Sequence, residues 1–140
     1  MPKFSNLFPN DPPIIIQRSL LVLKEGKWRE LAYGHQERSA SGVYNFVRID
    51  ERVFIRKASA RVAGRAIGHI DLAMGKEVDY AGRLYFSERT NRGILRKWTN
   101  ESGHYRPPPE FMSNARLPEK LFEAGQFNSL ISVSSIKKQN

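Results

Sequence analysis

"VYNFVRIDERVFIRKA", residues 43–58, is the stretch whose reading decides the fold. Two runs of alternating apolar and polar residues flank Asp50-Glu51. An alternation of period two sends successive side chains to opposite faces of an extended chain, so the segment reads as a β-hairpin. The neighbouring segments repeat the signal. "IIIQRSLLVLKEGKWRELAY" (14–33) opens on β-branched residues and turns at Glu25-Gly26 into a second run through Leu31. "DYAGRLYFSERTNRGILRKWTN" (79–100) reads as a third hairpin, with Asn91-Arg92-Gly93 at its tip and Leu84, Phe86, Leu95 and Trp98 as core residues.

Between and around these hairpins the signals are of other kinds. "MPKFSNLFPNDPP" is punctuated by four prolines and reads as an irregular arm packed by Phe4 and Phe8. "GHQERSASG" (34–42) is a polar loop. In "KASARVAGRAIG" (57–68) the four-residue spacing of Lys57, Arg61 and Arg65 would make one basic face on a helix. Gly64 and Gly68 restrict that helix to a turn or two. "HIDLAMGKEV" reads as a loop or short helix. "PEFMSNARLPEKLFEAG" (109–125) supports two short helices broken at Leu117-Pro118, with Glu110 and Glu119 in their first turns, and "NSLISVSSIKK" (128–138) a final strand. The expected architecture is α+β: an arm over 1–13, then one strand-rich domain over 14–140, built from β-hairpins with short helices near the C-terminus.

The composition bounds the function. A chain of 140 residues that is 40% hydrophobic, with eight Phe, five Tyr and two Trp, can bury a real core. The absence of cysteine excludes disulfides and thiolate metal sites. No apolar run approaches the roughly 18 residues of a membrane span, and Met1-Pro2-Lys3-Phe4 lacks the features of a secretory signal. These readings predict a soluble, monomeric protein without a membrane partner, resident in the cytoplasm or delivered into a target cell by a specialised secretion system. Twenty-three basic against fourteen acidic residues give a net charge of +9. Between Arg52 and Arg65 lie five basic residues and no acid. That distribution predicts a polyanionic target, RNA or an acidic protein.

Two loops carry the candidate chemistry. In "GHIDLAMG" Gly68 precedes His69, and in "SGHYRPP" Gly103 precedes His104. A glycine beside a polar residue permits close approach of a ligand to the backbone, and the prolines after Arg106 lower the cost of ordering the loop. His104 and Tyr105 can equally serve as anchors of a turn. His69, His104 and Asp71 have no metal-ligand spacing, so no metal is expected. Ser102 lacks the Gly-x-Ser-x-Gly elbow of a serine hydrolase. A metal-independent ribonuclease needs a base, an acid and a cationic stabiliser, which His69, His104 and Arg106 can supply.

"GHIDLAMGKEVDYAGRLYF" (68–86) followed by "GILRKWTNESGHYRPPPEF" (93–111) resembles a small domain found at the C-terminal ends of some bacterial polymorphic toxins, Rhs-type proteins among them. It is also similar to the C-terminal half of plant IQ-motif calmodulin-binding proteins. The resemblance spans roughly residues 43–124 and is strongest at "SGHYRPP". Ile70-Asp71 stand where relatives carry serines, and no IQ pattern is present, so neither a serine-dependent role nor calmodulin binding carries over. The resemblance implies an effector module with an immunity protein as partner, and ADP-ribosyl transfer from NAD as its chemistry. In that reading His69 or His104 holds the nicotinamide ribose, with Asp71 beside them in the first loop. Tyr105 stacks the nicotinamide and Glu101 or Glu110 is the carboxylate. Arg65 and Arg106 meet the pyrophosphate, where Gly68 and Gly103 let the backbone come close. A ribonuclease and a non-catalytic module that binds a nucleotide, nucleic acid or protein are the alternatives.

Overall fold

A computed structural model describes residues 2–32 and 36–125. The three expected hairpins form. Strands β1 (Ser19–Lys24) and β2 (Lys27–Leu31) meet at a two-residue turn in which Glu25 and Gly26 both have positive φ, 52° and 77°. Such a turn matches the right-handed twist of the strands it joins. A short β3 (Glu37–Ser39) adds to β2, β4 (Gly42–Ile49) pairs with β5 (Arg52–Lys57) across Asp50-Glu51, and β8 (Tyr80–Phe86) pairs with β9 (Leu95–Trp98). All pairings in the seven-stranded sheet are antiparallel, in the order β3-β2-β1-β5-β4-β8-β9.

Where the sequence pattern allowed a basic helix, the chain makes a miniature hairpin, β6 (Arg61–Val62) against β7 (Arg65–Ala66). Ala63 and Gly64 at its turn both have positive φ, 52° and 78°, which breaks any helical run. Lys57 therefore leaves the basic row: it ends β5, lies over the Tyr44 ring and donates to the Ser41 carbonyl. The α-helix among the described residues is α1 (His69–Ala73), in mid-chain. The late segments expected as helices are 3-10 turns, Pro109–Ala115 and Glu119–Leu121, interrupted near Leu117-Pro118. Short helical elements thus lie both in mid-chain and near the C-terminus. The strand expected over 128–138 lies outside the described residues.

The pairing registers give the sheet two distinct faces. Tyr44, Phe46, Arg48, Val53, Ile55, Tyr80, Leu84 and Trp98 share the inner face. Trp98 meets Phe46 and Tyr80 edge-on at 6.1 and 5.9 Å and Phe122 at 4.7 Å. The 3-10 turns cover this face: the Tyr80 hydroxyl donates to the Pro108 carbonyl, Arg48 Nε to Ala115 and Trp98 Nε1 to Pro118. On the outer face Asn45 Nδ2 donates to the Ile67 carbonyl, and α1 lies against β4 and β5.

The sheet also rolls. Glu30 on β2 is buried, and its carboxylate accepts from Ser19 Oγ at 2.8 Å, Arg38 Nε at 3.0 Å and the Tyr44 hydroxyl at 3.0 Å. β2 and β4 are separated by two strands, so this contact requires strong curvature. Those three donors hold the carboxyl below its ordinary pKa although burial pushes the other way. The β8–β9 connection returns to the same seam, with Trp28 N donating to the Gly93 carbonyl and Gly93 N to Ala40.

Candidate functional site

The first histidine loop is spent on structure. Asp71 is buried; its Oδ2 accepts from the Gly68 amide at 2.9 Å, capping α1, and its Oδ1 accepts from the Ile14 amide at 2.8 Å. His69 is buried as well, and its Nε2 lies 2.7 Å from the Gly82 carbonyl, which fixes that nitrogen as the donor. Burial pushes its pKa down to about 4. The Gly82 bond and the Glu101 carboxylate act upward on it, while the Arg83 and His104 charges act downward. The imidazole is neutral at pH 7. Gly82 itself is required by close approach: a Cβ there would lie 1.7 Å from the Thr99 carbonyl oxygen.

Thr99 and Asn100 cross Gly82 on their way into the second loop. Asn100 Nδ2 donates to the Pro107 carbonyl at 2.8 Å, and the Tyr105 amide donates to Ser102 Oγ at 3.2 Å. Tyr105 is buried, its hydroxyl donates to the Lys76 carbonyl at 2.7 Å, and burial pushes its pKa up to about 12. This bond joins the second loop to the segment that follows α1, so the two histidine loops adjoin. His104 turns the other way. Its Nε2 is 3.2 Å from Asp11 Oδ2, its ring meets Phe8 edge-on at 5.5 Å, and its carbonyl accepts from the Leu7 amide. The Arg106 guanidinium lies 5.3 Å from the same Phe8 ring. Gly103 is exposed, with open space where a Cβ would stand.

The remaining candidates divide between the faces. Glu101 Oε1 accepts from the Tyr85 hydroxyl and from Thr99 Oγ1, both at 3.0 Å. Glu110 is exposed on the 3-10 turn that covers the inner face. Of the side chains assigned to ADP-ribosyl transfer, Glu101, Glu110, His104, Arg65 and Arg106 reach the surface, whereas His69, Asp71 and Tyr105 do not. The Tyr105 ring, expected to stack a nicotinamide, is enclosed by protein and offers no face to a ligand. Among the described residues no three His, Asp or Glu side chains gather as metal ligands, and no helix is long and apolar enough to cross a membrane.

The basic stretch is arranged differently. Arg52, Phe54 and Arg56 alternate onto the outer face of β5, and Arg18, just before β1, stacks its guanidinium 4.0 Å above the Phe54 ring. The arginines are oriented by backbone carbonyls: Arg18 by Leu72 at 2.9 Å, Arg56 by Gln17, Arg61 by Gly64 at 2.9 Å and Arg65 by Pro12 at 3.3 Å. Among the described residues no carboxylate pairs with any of these four or with Arg52. The row is held in place without its charge being cancelled. Sequence reasoning misses Arg18, because it becomes part of the row only through the pairing of β1 with β5. The segment around the end of the arm does more than pack: its carbonyls at Pro12 and Gln17 position two of these arginines. No protein-family profile, curated protein or solved structure matches the chain.

Proposed function

We propose that this protein is an effector domain that binds single-stranded nucleic acid along the outer face of β5 and the β6–β7 hairpin. The observation that carries the proposal is the row Arg18, Arg52, Arg56, Arg61 and Arg65, unpaired with any described carboxylate and interleaved with Phe54. Guanidinium groups give paired hydrogen bonds to phosphate oxygens, and an aromatic beside them offers a stacking surface for a base. Binding of labelled single-stranded RNA over a salt series tests the reading. The logarithm of affinity should fall with the logarithm of salt, and Arg61→Glu with Arg65→Glu should flatten the slope by about 0.7 for each phosphate no longer neutralised. Absence of binding, or an unchanged slope in the double variant, overturns it. Selective binding of an acidic polypeptide in place of RNA overturns it too.

A second reading, ADP-ribosyl transfer onto a macromolecule at the His104 loop, draws on one feature. An imidazole and a guanidinium, His104 and Arg106, converge on the exposed Phe8 ring. Release of nicotinamide from NAD, abolished in His104→Ala, supports it.

A further inference from the structure

A cleft of about 320 Å³ opens on the outer face between the end of α1 and the β4–β5 turn. Ala73, Met74 and Lys76 form one wall, Ile49 to Arg52 the other, and Arg18 with Phe54 the floor. Small-ligand sites span roughly 300–1,000 Å³, so this one has room for a single small unit rather than a stretch of chain.

Three cations line the cleft. Arg18 is tethered to the Leu72 carbonyl and lies flat on Phe54. Arg52 and Lys76 are both exposed, and neither side chain forms a hydrogen bond or ion pair among the described residues. Burial and the nearby Arg52 charge hold Arg18 below its ordinary pKa, so the two guanidinium groups repel one another across the cleft. The two carboxylates in the same wall, Asp50 and Glu51, are each paired with a cation that does not line the cleft, Lys3 at 3.3 Å and Arg116 at 3.0 Å. Three cations thus face two carboxylates that already have partners, and the mutual repulsion of the cations is relieved when an anion enters. Beside them lie the face of a guanidinium already stacked on an aromatic ring and the exposed Met74 side chain, surfaces suited to a nucleobase.

We propose that this cleft seats one nucleotide, its phosphate between Arg18, Arg52 and Lys76 and its base against the Arg18–Phe54 stack and Met74. The assignment rests on the nucleic-acid reading above and deepens it by naming the unit the strand inserts. Neither Arg52 nor Lys76 supports the core, so Arg52→Ala and Lys76→Ala can be compared as folded proteins.

Titrations of the full chain followed by NMR, with a nucleoside 5′-monophosphate, the corresponding nucleoside and inorganic phosphate as separate probes, test the proposal. The monophosphate should shift the Phe54 and Met74 side-chain signals, and each alanine variant should bind it about tenfold more weakly, as expected on removing one charge-assisted hydrogen bond. The nucleoside and phosphate should each bind more weakly than the monophosphate. Equal binding of phosphate and monophosphate overturns the base contact. No shift at Phe54 or Met74, with single-stranded RNA still bound by the same sample, overturns the cleft while leaving the surface reading intact. Failure of RNA itself to bind strikes the surface reading first.

Discussion

His69 and His104 follow a glycine in similar loops, and the folded chain uses them in opposite ways. His69 points inward and donates to the carbonyl of Gly82, where burial keeps it neutral. His104 points outward to Asp11 and Phe8 on the arm and retains 26% of its side-chain surface. The difference lies in what stands opposite. α1 rests on the sheet beside a strand carbonyl that needs a donor, and an unsatisfied buried carbonyl costs free energy. The ring of the second loop meets only an irregular arm. A glycine-histidine pair therefore marks a turn, and the neighbouring element decides whether its ring is a structural donor or a surface group.

The largest effect should come from the point where the two loops touch through the sheet. Gly82→Ala would drive a methyl group into the Thr99 carbonyl, a backbone atom that cannot swing aside. The expected destabilisation is about 4 kcal/mol or more, seen as an unfolded or molten protein by circular dichroism. A cooperative melt near that of the unaltered chain would show that Thr99–Asn100 does not pass so close.

Acid should test the inward histidine next. The folded His69 pKa of about 4 lies below its ordinary 6.5. Its contribution is complete above pH 6.5 and is lost as the unfolded state takes up the proton first, between about pH 6.5 and 4. At about 1.4 kcal/mol per pH unit, the loss is on the order of 3 kcal/mol. Chemical denaturation across that range should show it, and His69→Gln should reduce the slope.

Tyr105→Phe keeps the buried ring and removes only the bond to the Lys76 carbonyl, so it should cost about 1 to 2 kcal/mol in thermal unfolding. The smallest effect belongs to His104→Ala, about 0.5 kcal/mol, since its hydrogen bond to Asp11 lies at a partly solvated surface. If that variant melts far lower than Tyr105→Phe, the contrast between an inward and an outward histidine collapses.

The hairpins were legible because strand alternation and turn residues are local. Glu25-Gly26 and Asp50-Glu51 sit where the turns form, and Leu84, Phe86, Leu95 and Trp98 are all buried. The β-branched run Ile14–Ile16 misleads: the Ile14 amide is taken by Asp71, and Ile15 is 90% exposed. The basic spacing of Arg61 and Arg65 fits a helix and a hairpin equally until the Ala63-Gly64 turn decides. In the late segment Pro107, Pro108, Pro109 and Pro118 lack amide donors, which favours short 3-10 turns over α-helices. At the site the partly exposed His104 could be picked out by residue type. The duty of Asp71 could not, because its partner Ile14 stands 57 positions away.

The arm has a consequence for how the molecule assembles. Its bonds span the longest separations among the described residues: Asp11 to His104 across 93 positions and Pro2 to Asn114 across 112. The three hairpins close over a few residues each, on a timescale of roughly microseconds. The arm can dock only once both histidine loops exist to receive it, so it belongs on the native side of the folding barrier. Phe4, wedged against Tyr80 and Phe111, is then a brake on unfolding rather than a nucleus. Weakening it would shorten the lifetime of the native state while leaving the refolding rate nearly unchanged.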